Sequence, residues 1–163
     1  MEQYIIRKAN TNDLEQVAEL EKLCFPESEA ATKESLKKRL EKYSESFYVL
    51  TISEKIVSMV NGMVTSQSDL TDEMYHNENL HDPKGDWQMI FGVDTHPEYR
   101  NQGLAAATLN AFIDHAQKEK RKGIVLTCKE KLIPYYAKFG FISEGQSESE
   151  HGNAVWYQMR LKF

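Results

Sequence analysis

The stretch "HPEYRNQGLAAATL", His96 to Leu109, joins an apolar run, "WQMIFGVDT" (Trp87 to Thr95), to a helix-like segment through a turn of one arginine, one glycine and several small residues. Where a strand passes through a glycine-bearing turn into a helix, free backbone N–H groups and the positive end of the helix converge on one spot. That geometry suits phosphate oxygens. Gly103 lets the backbone come close to a ligand, Ala105 keeps the first helical turn narrow, and Arg100 adds charge or braces the loop. The plainer reading is that Gly103 only permits a tight turn and Arg100 is surface charge. The stretch contains neither the G-x-G-x-x-G of dinucleotide folds nor the G-x-x-x-x-G-K-[ST] of nucleoside-triphosphate loops.

Working outward, Tyr4 to Lys8 reads as a short strand. Asn12 with Glu15 resembles a capping box that opens a helix carrying Leu14, Val17 and Ala18 on one face and fading near Pro26. Thr32 caps a second helix in which Leu36, Leu40 and Tyr43 recur at helical spacing, while Lys37, Lys38, Arg39 and Lys42 form a solvated basic face. "FYVLTI" (Phe47 to Ile52) and "IVSMVNGMVTS" (Ile56 to Ser66), joined by Ser53, Glu54 and Lys55, predict a β-hairpin. Asp69 to Gly85 turns polar and predicts a surface excursion, after which Trp87 to Thr95 resumes as one buried strand. A helix from Leu104 to Lys120, the strand "GIVLTC", a short helix over Ile133 to Lys138 and strands at Phe141 to Gln146 and Ala154 to Phe163 complete the chain. This order predicts an α/β fold, a mixed central sheet of about six or seven strands flanked by helices, as a single domain over the whole chain.

With 163 residues, 40% hydrophobic and 28% charged, the composition is that of a soluble globular protein with one well-filled core. A formal charge of -5 argues against nucleic acid as a partner and permits a cationic substrate. No run of about 18 apolar residues offers a membrane span, and the start, MEQYIIRKAN, lacks the features of a secretory signal. The expectation is a cytoplasmic protein without a membrane partner. Cys24 and Cys128 are too few for a disulfide framework and read as reduced thiols. No metal is expected, since the histidines and carboxylates of Asp69 to Asp82 lack ligand spacing. His76, His81 and His151 read as surface histidines.

"HPEYRNQGLA" resembles the acyl-CoA signature R/Q-x-x-G-x-G/A of the GNAT superfamily of N-acetyltransferases, with Arg100, Gly103 and Ala105 at its defining positions. "LIPYYAKFGF" (Leu132 to Phe141) is similar to that superfamily's second motif, and "LTCKEKLIPYYAKFGF" to the corresponding block of arylalkylamine N-acetyltransferases. "CFPESEAAT" (Cys24 to Thr32) resembles the F-P-x-x-E-A-A segment of that family's microbial branch. The resemblance implies a splayed mixed sheet, opened between the fourth and fifth strands so that coenzyme A lies in the gap. It also implies that backbone groups of Val93 and Thr95 serve the acetyl carbonyl and pantetheine, and that Asn101, Gly103, Leu104 and Ala105 give amides to the pyrophosphate.

Acetyl transfer to an amine needs a free amine, an oxyanion donor and a proton source near sulfur. By motif position Tyr136, rather than Tyr135, is the candidate acid. A phenol of pKa about 10 is protonated at neutral pH and can donate to a developing thiolate. The alternative is that both tyrosines only pack the helix on the sheet. Vertebrate arylalkylamine enzymes carry a histidine pair on the fourth strand where this chain has Met89 and Phe91, which become candidate substrate contacts, and the base must lie elsewhere or be water. Glu29 is the candidate base, with Glu27 and Asp94 behind it; Glu29 could equally bind the substrate ammonium or flank the next helix. Phe25 and Pro26 are candidates for an aromatic pocket wall, and Cys128 for lining rather than nucleophile. The implied activity is direct transfer from acetyl-CoA to a small primary amine of arylalkylamine or polyamine type. The alternatives are a peptide or protein amine, or an idle acyl-CoA-binding regulatory module. Family analogy adds a homodimer through the final strands.

Overall fold

The computed structural model describes residues 3–163. Phe47–Ile52 (β2) and Lys55–Asn61 (β3) run as near-continuous apolar strands, buried on both faces because helices cover each side. Leu14–Cys24 (α1) and Lys33–Tyr43 (α2) lie on one side, and Leu104–Lys118 (α4) on the other. The hairpin between β2 and β3 turns on Ser53 and Glu54, both with positive φ, as a two-residue loop matched to strand twist demands. Thr32 caps α2 as expected, accepting from Ser35 N at 3.1 Å. The first capping box falls two residues earlier than the sequence suggests. Asn10 accepts from Asn12 N, and Asp13 Oδ2 accepts from Asn10 N while pairing with Arg7. That ion pair holds the Asp13 carboxyl below its usual range.

The expected single strand over Trp87 to Thr95 is two. Trp87–Ile90 (β5) pairs in parallel with Gly123–Cys128 (β7), whereas Gly92–Thr95 (β6) leaves at Phe91 to pair antiparallel with β3. The described residues therefore form the expected mixed, splayed arrangement, its strands parted into sheets of four and five. Ile5–Lys8 (β1) completes a four-stranded sheet of order β1-β2-β3-β6. Val64–Thr65 (β4), Ile142–Gln146 (β8) and Tyr157–Lys162 (β9) complete a five-stranded sheet of order β4-β5-β7-β9-β8. Both are flanked by helices in an α/β arrangement.

The seam between the sheets is held by a buried amide. Gln88 Nε2 donates to the carbonyls of Gly62, Met63 and Met89 at 3.1, 3.1 and 2.8 Å, and its oxygen accepts from Ser46 Oγ. There the chain at Gly62 comes so close to β5 that a Cβ would stand 1.9 Å from Met89 O. Beneath α4, Leu109, Phe112 and Ala116 pack on Val60, Ile124 and Leu126, while Val17, Leu20, Leu36 and Leu40 close the opposite face over Val49 and Met59.

Two surface assignments change. Arg39 is not on the solvated face of α2: it is 4% exposed, donates Nη1 to Asn61 Oδ1 at 2.9 Å and lies 4.8 Å from the Phe91 ring centroid. Its position between Leu36 and Tyr43 on the apolar stripe is the reason. His81 is half-buried, stacks on Tyr43 and accepts from Val64 N at 3.1 Å, so burial pushes its pKa down. Within the polar excursion, Asp72–His76 forms a short helix (α3).

Candidate functional site

Because β5 stays with β7 while β6 departs with β3, the two sheets splay apart beyond the Ile90–Leu126 pair. One edge of β6 is left open. His96 N bonds to Val57 O on the β3 side, and strand alternation then turns the backbone groups of Val93 and Thr95 to the opposite edge. Both residues line a cavity of about 790 Å³ that occupies the gap.

At one end of the cavity the α4 helix begins. Gly103 precedes it in the left-handed region, at φ 76° and ψ 11°, and Asn101 also has positive φ. A Cβ on Gly103 would meet nothing within 4 Å, so backbone conformation rather than crowding calls for glycine. No side chain caps this helix and no acidic residue stands in its first turn; its first internal bond is Ala107 N to Gly103 O. The N–H groups before Ala107 are thus unpaired by the helix itself, and Asn101, Gly103, Leu104 and Ala105 all line the cavity. The geometry is that of a cradle able to take an anion. Arg100 braces it by donating Nε to Thr95 O at 3.1 Å. The residues present fit a diphosphate-bearing ligand such as coenzyme A.

At the splay itself stands Tyr136, in Ile133–Ala137 (α5). It is 8% exposed and lines the cavity with Tyr135 and Cys128. Burial pushes its pKa well up, so it holds its proton at neutral pH. Burial likewise raises the Cys128 thiol, to about 11, and that thiol is directed to Met159 Sδ at 3.6 Å, so Cys128 is a lining group. Cys24 donates its thiol to Thr95 O at 3.3 Å and is also free.

The other end of the cavity is closed by three loops. Phe25, Pro26 and Glu29 come from the α1–α2 connection, Tyr75 from α3, and His151 and Trp156 from the β8–β9 connection. Glu29 Oε2 accepts from Lys129 Nζ at 2.9 Å, and the side chain is 8% exposed. His151 is a correction to the expected surface histidine. Its ring stacks on Tyr75 with centroids 4.7 Å apart, and Nε2 lies 2.8 Å from Glu29 O. Tyr75 in turn tilts against Phe91 at 4.9 Å and bonds through its hydroxyl to Thr127 Oγ1.

Met89 is corrected as well. It is fully buried among Tyr43, Met63, Met74 and Val125, where β5 is still paired with β7, and is not part of the cavity wall; Phe91, on the same face but at the break, does line the cavity. Glu27 is exposed, outside the wall.

The sequence reading passed over Glu21. It is 5% exposed, lines the cavity and accepts from Ala31 N at 2.8 Å. A signal existed: Glu21 lies one turn from Val17 and within a turn of Cys24, a carboxylate on the buried stripe of α1. Asp94, fully buried on β6, faces it, and burial followed by the Glu21 charge raises the Asp94 pKa well above the usual range.

Among known proteins, the chain is 27% identical over 108 residues to serotonin N-acetyltransferase of Mesocricetus auratus, a match covering 65% of this chain and 50% of that one. The chain thus aligns with half the length of that curated relative. In fold it is similar to the loading GNATL domain of CurA from Lyngbya majuscula, with TM-score 0.84, 18% identity and 98% of each chain covered. It is also similar to the ribosomal-protein-S18-alanine N-acetyltransferase of Escherichia coli, with TM-score 0.75, 18% identity, and 98% and 94% covered. The cradle before α4 and the splay beside it lie within the span where a family model, that of the acetyltransferase (GNAT) domain, matches residues 5–142, and the chain belongs to the GNAT acetyltransferase family.

Proposed function

We propose that this protein transfers an acetyl group from acetyl-CoA directly to the primary amine of a small molecule. The observation that carries the reading is one continuous cavity. It runs from the uncapped start of α4, past the open edge of β6 and Tyr136, to an aromatic end closed by three loops. Asn101, Gly103, Leu104 and Ala105 would hold the diphosphate, and Val93 and Thr95 the pantetheine and acyl carbonyl. The amine nitrogen attacks the carbonyl carbon, the C–S bond breaks, and the Tyr136 hydroxyl gives its proton to the leaving sulfur. The nitrogen that has become an amide loses the proton that restores Tyr136.

The closed end supports a small acceptor. A cavity of about 790 Å³ is within the size class of small-molecule sites, and the β8–β9 loop folds down onto the α1–α2 loop through His151 and Glu29. Phe25 and the edge of Phe91 give the cavity aromatic wall for an arylalkyl group, and Glu29, held by Lys129, offers charge near the acceptor ammonium.

The test is acetyl-CoA-dependent thiol release against tryptamine, phenethylamine, polyamines and short peptides, with a no-amine blank. Turnover confined to small amines is the expected result; turnover of peptides alone would move the reading to a polypeptide acceptor, and acetyl-CoA binding without turnover to a binding module. A separate expectation concerns the cradle. Gly103→Ala places a Cβ at φ 76°, a strain of roughly 1 kcal/mol, and should weaken coenzyme A binding by about fivefold in a calorimetric titration while the fold stays intact.

A further inference from the structure

The proposed transfer leaves one need unmet. An alkylamine of pKa about 10 is almost entirely charged at neutral pH, and its nitrogen cannot attack until one proton leaves. Glu29 is poorly placed to take it, because its carboxylate already faces the Lys129 ammonium at 2.9 Å.

A second acidic group stands deeper. Asp94 is fully buried, and neither of its carboxyl oxygens has a donor among the described residues. A buried carboxylate left in that state would be costly, so the group is satisfied by carrying a proton and donating it to its neighbour. That neighbour is Glu21: from the position a Cβ on Gly92 would take, Asp94 Oδ1 is 3.1 Å and Glu21 Oε1 3.9 Å away. The second Glu21 oxygen accepts from Ala31 N. Gly92 has no positive φ that would require glycine. Its missing side chain instead leaves room beside the two carboxyls: Gly92 and Glu21 line the cavity, and Asp94 stands buried behind them.

We propose that the Glu21–Asp94 pair is the proton acceptor for the incoming ammonium, with Glu21 meeting it beside Gly92 and Asp94 supporting Glu21 from behind. The inference rests on the acetyltransferase reading above. In the resting pair Asp94 is the acid and Glu21 the carboxylate. The substrate ammonium gives one proton to Glu21, directly or across one water, leaving a neutral amine and two neutral carboxyls. After the amide forms, that proton passes to solvent and the pair returns to its resting state.

The surroundings agree with a pair bearing a single negative charge. On α2, the Arg39 guanidinium has a free Nε and is buried without a carboxylate hydrogen bond, so one anionic charge nearby balances it. The other ionisable groups facing the pair are Cys24 on α1, Tyr75 on α3 and Tyr136 on α5; Arg100 is directed to Cys24 and Thr95. Burial and the Glu21 charge raise Asp94 well above the carboxylate range, while Arg39 opposes the shift.

Glu21→Gln keeps an oxygen for Ala31 N, and Asp94→Asn keeps a donor toward Glu21, so both variants should fold. Glu21→Gln is expected to lose about 100-fold or more in kcat/KM at neutral pH with coenzyme A affinity unchanged, and Asp94→Asn a smaller factor, because its amide stands in for the protonated acid. The deficit should shrink as pH approaches the amine's own pKa, because the substrate then arrives deprotonated. A merely structural loss would persist at every pH. A second readout needs no substrate. The protonated form of Asp94 is favoured by the fold, so its contribution to stability is full below the unfolded carboxyl pKa of about 3.9 and declines as pH rises toward the raised folded value. Asp94→Asn should remove that decline in thermal melts taken across pH.

Wild-type activity in Glu21→Gln, a deficit independent of pH, or parallel melting profiles for wild type and Asp94→Asn would each overturn the proposal. Wild-type protein that turns over no amine, whether or not it binds acetyl-CoA, sinks the acetyltransferase reading beneath the proposal, whereas wild-type turnover that Glu21→Gln leaves unchanged sinks the proton-acceptor role alone.

Discussion

Tyr136→Phe is expected to lower kcat by about two to four orders of magnitude while the Kd for coenzyme A stays within roughly twofold of wild type. The substitution keeps the ring that packs near Tyr135 and Phe141, with centroids 5.2 and 6.0 Å away, and removes only the hydroxyl. If the two tyrosines served packing alone, Phe would fill the same space and turnover would persist. The hydroxyl's chemistry predicts otherwise. Burial holds it protonated at neutral pH, and the neighbouring Cys128 thiol, itself raised to about 11, is a poor substitute donor directed at Met159. Tyr135→Phe is the control. Steady-state turnover paired with a coenzyme A titration separates the outcomes, since an unchanged kcat in Tyr136→Phe would return this residue to a packing role.

Gly62→Ala should destabilise the protein by about 3 kcal/mol or more, seen as a lower urea midpoint with an unchanged slope. A Cβ there would stand 1.9 Å from Met89 O and 2.5 Å from its carbonyl carbon, and backbone cannot swing aside as a side chain can. Relief requires the β3–β4 connection to move off β5, which pulls on the three carbonyl bonds of Gln88 Nε2 at the same seam. Because that seam sets where β5 and β6 part, the variant should also lose acetyl-CoA affinity; wild-type stability would show that the sheets slide there at little cost.

The helices and most strands were legible because their signals are local. Thr32 caps α2, and apolar spacing marks the buried faces of α1, α2 and α4. What misled was residue type overriding position. Arg39 is basic and sits among lysines, yet its place on the Leu36–Tyr43 stripe takes it under Phe91. Trp87 to Thr95 is uninterruptedly strand-like, so the change of partner at Phe91 carries no local mark. It depends on which strands offer edges to either half.

By itself the sequence determined the cradle. A left-handed glycine, small residues and an uncapped helix start are properties of a few consecutive residues, so their backbone chemistry can be read without neighbours. The motif around Tyr136 is local in the same sense. Only the tertiary structure decided what each charged group meets: Lys129 reaches Glu29 across 100 residues of chain, His151 meets the Glu29 carbonyl across 122, and Glu21 on a helix comes beside Asp94 on a strand. Periodicity states that a side chain turns inward. Whether it finds a cation, a second carboxyl or an open cavity there is fixed by how elements pack, and that packing sets its charge and its use.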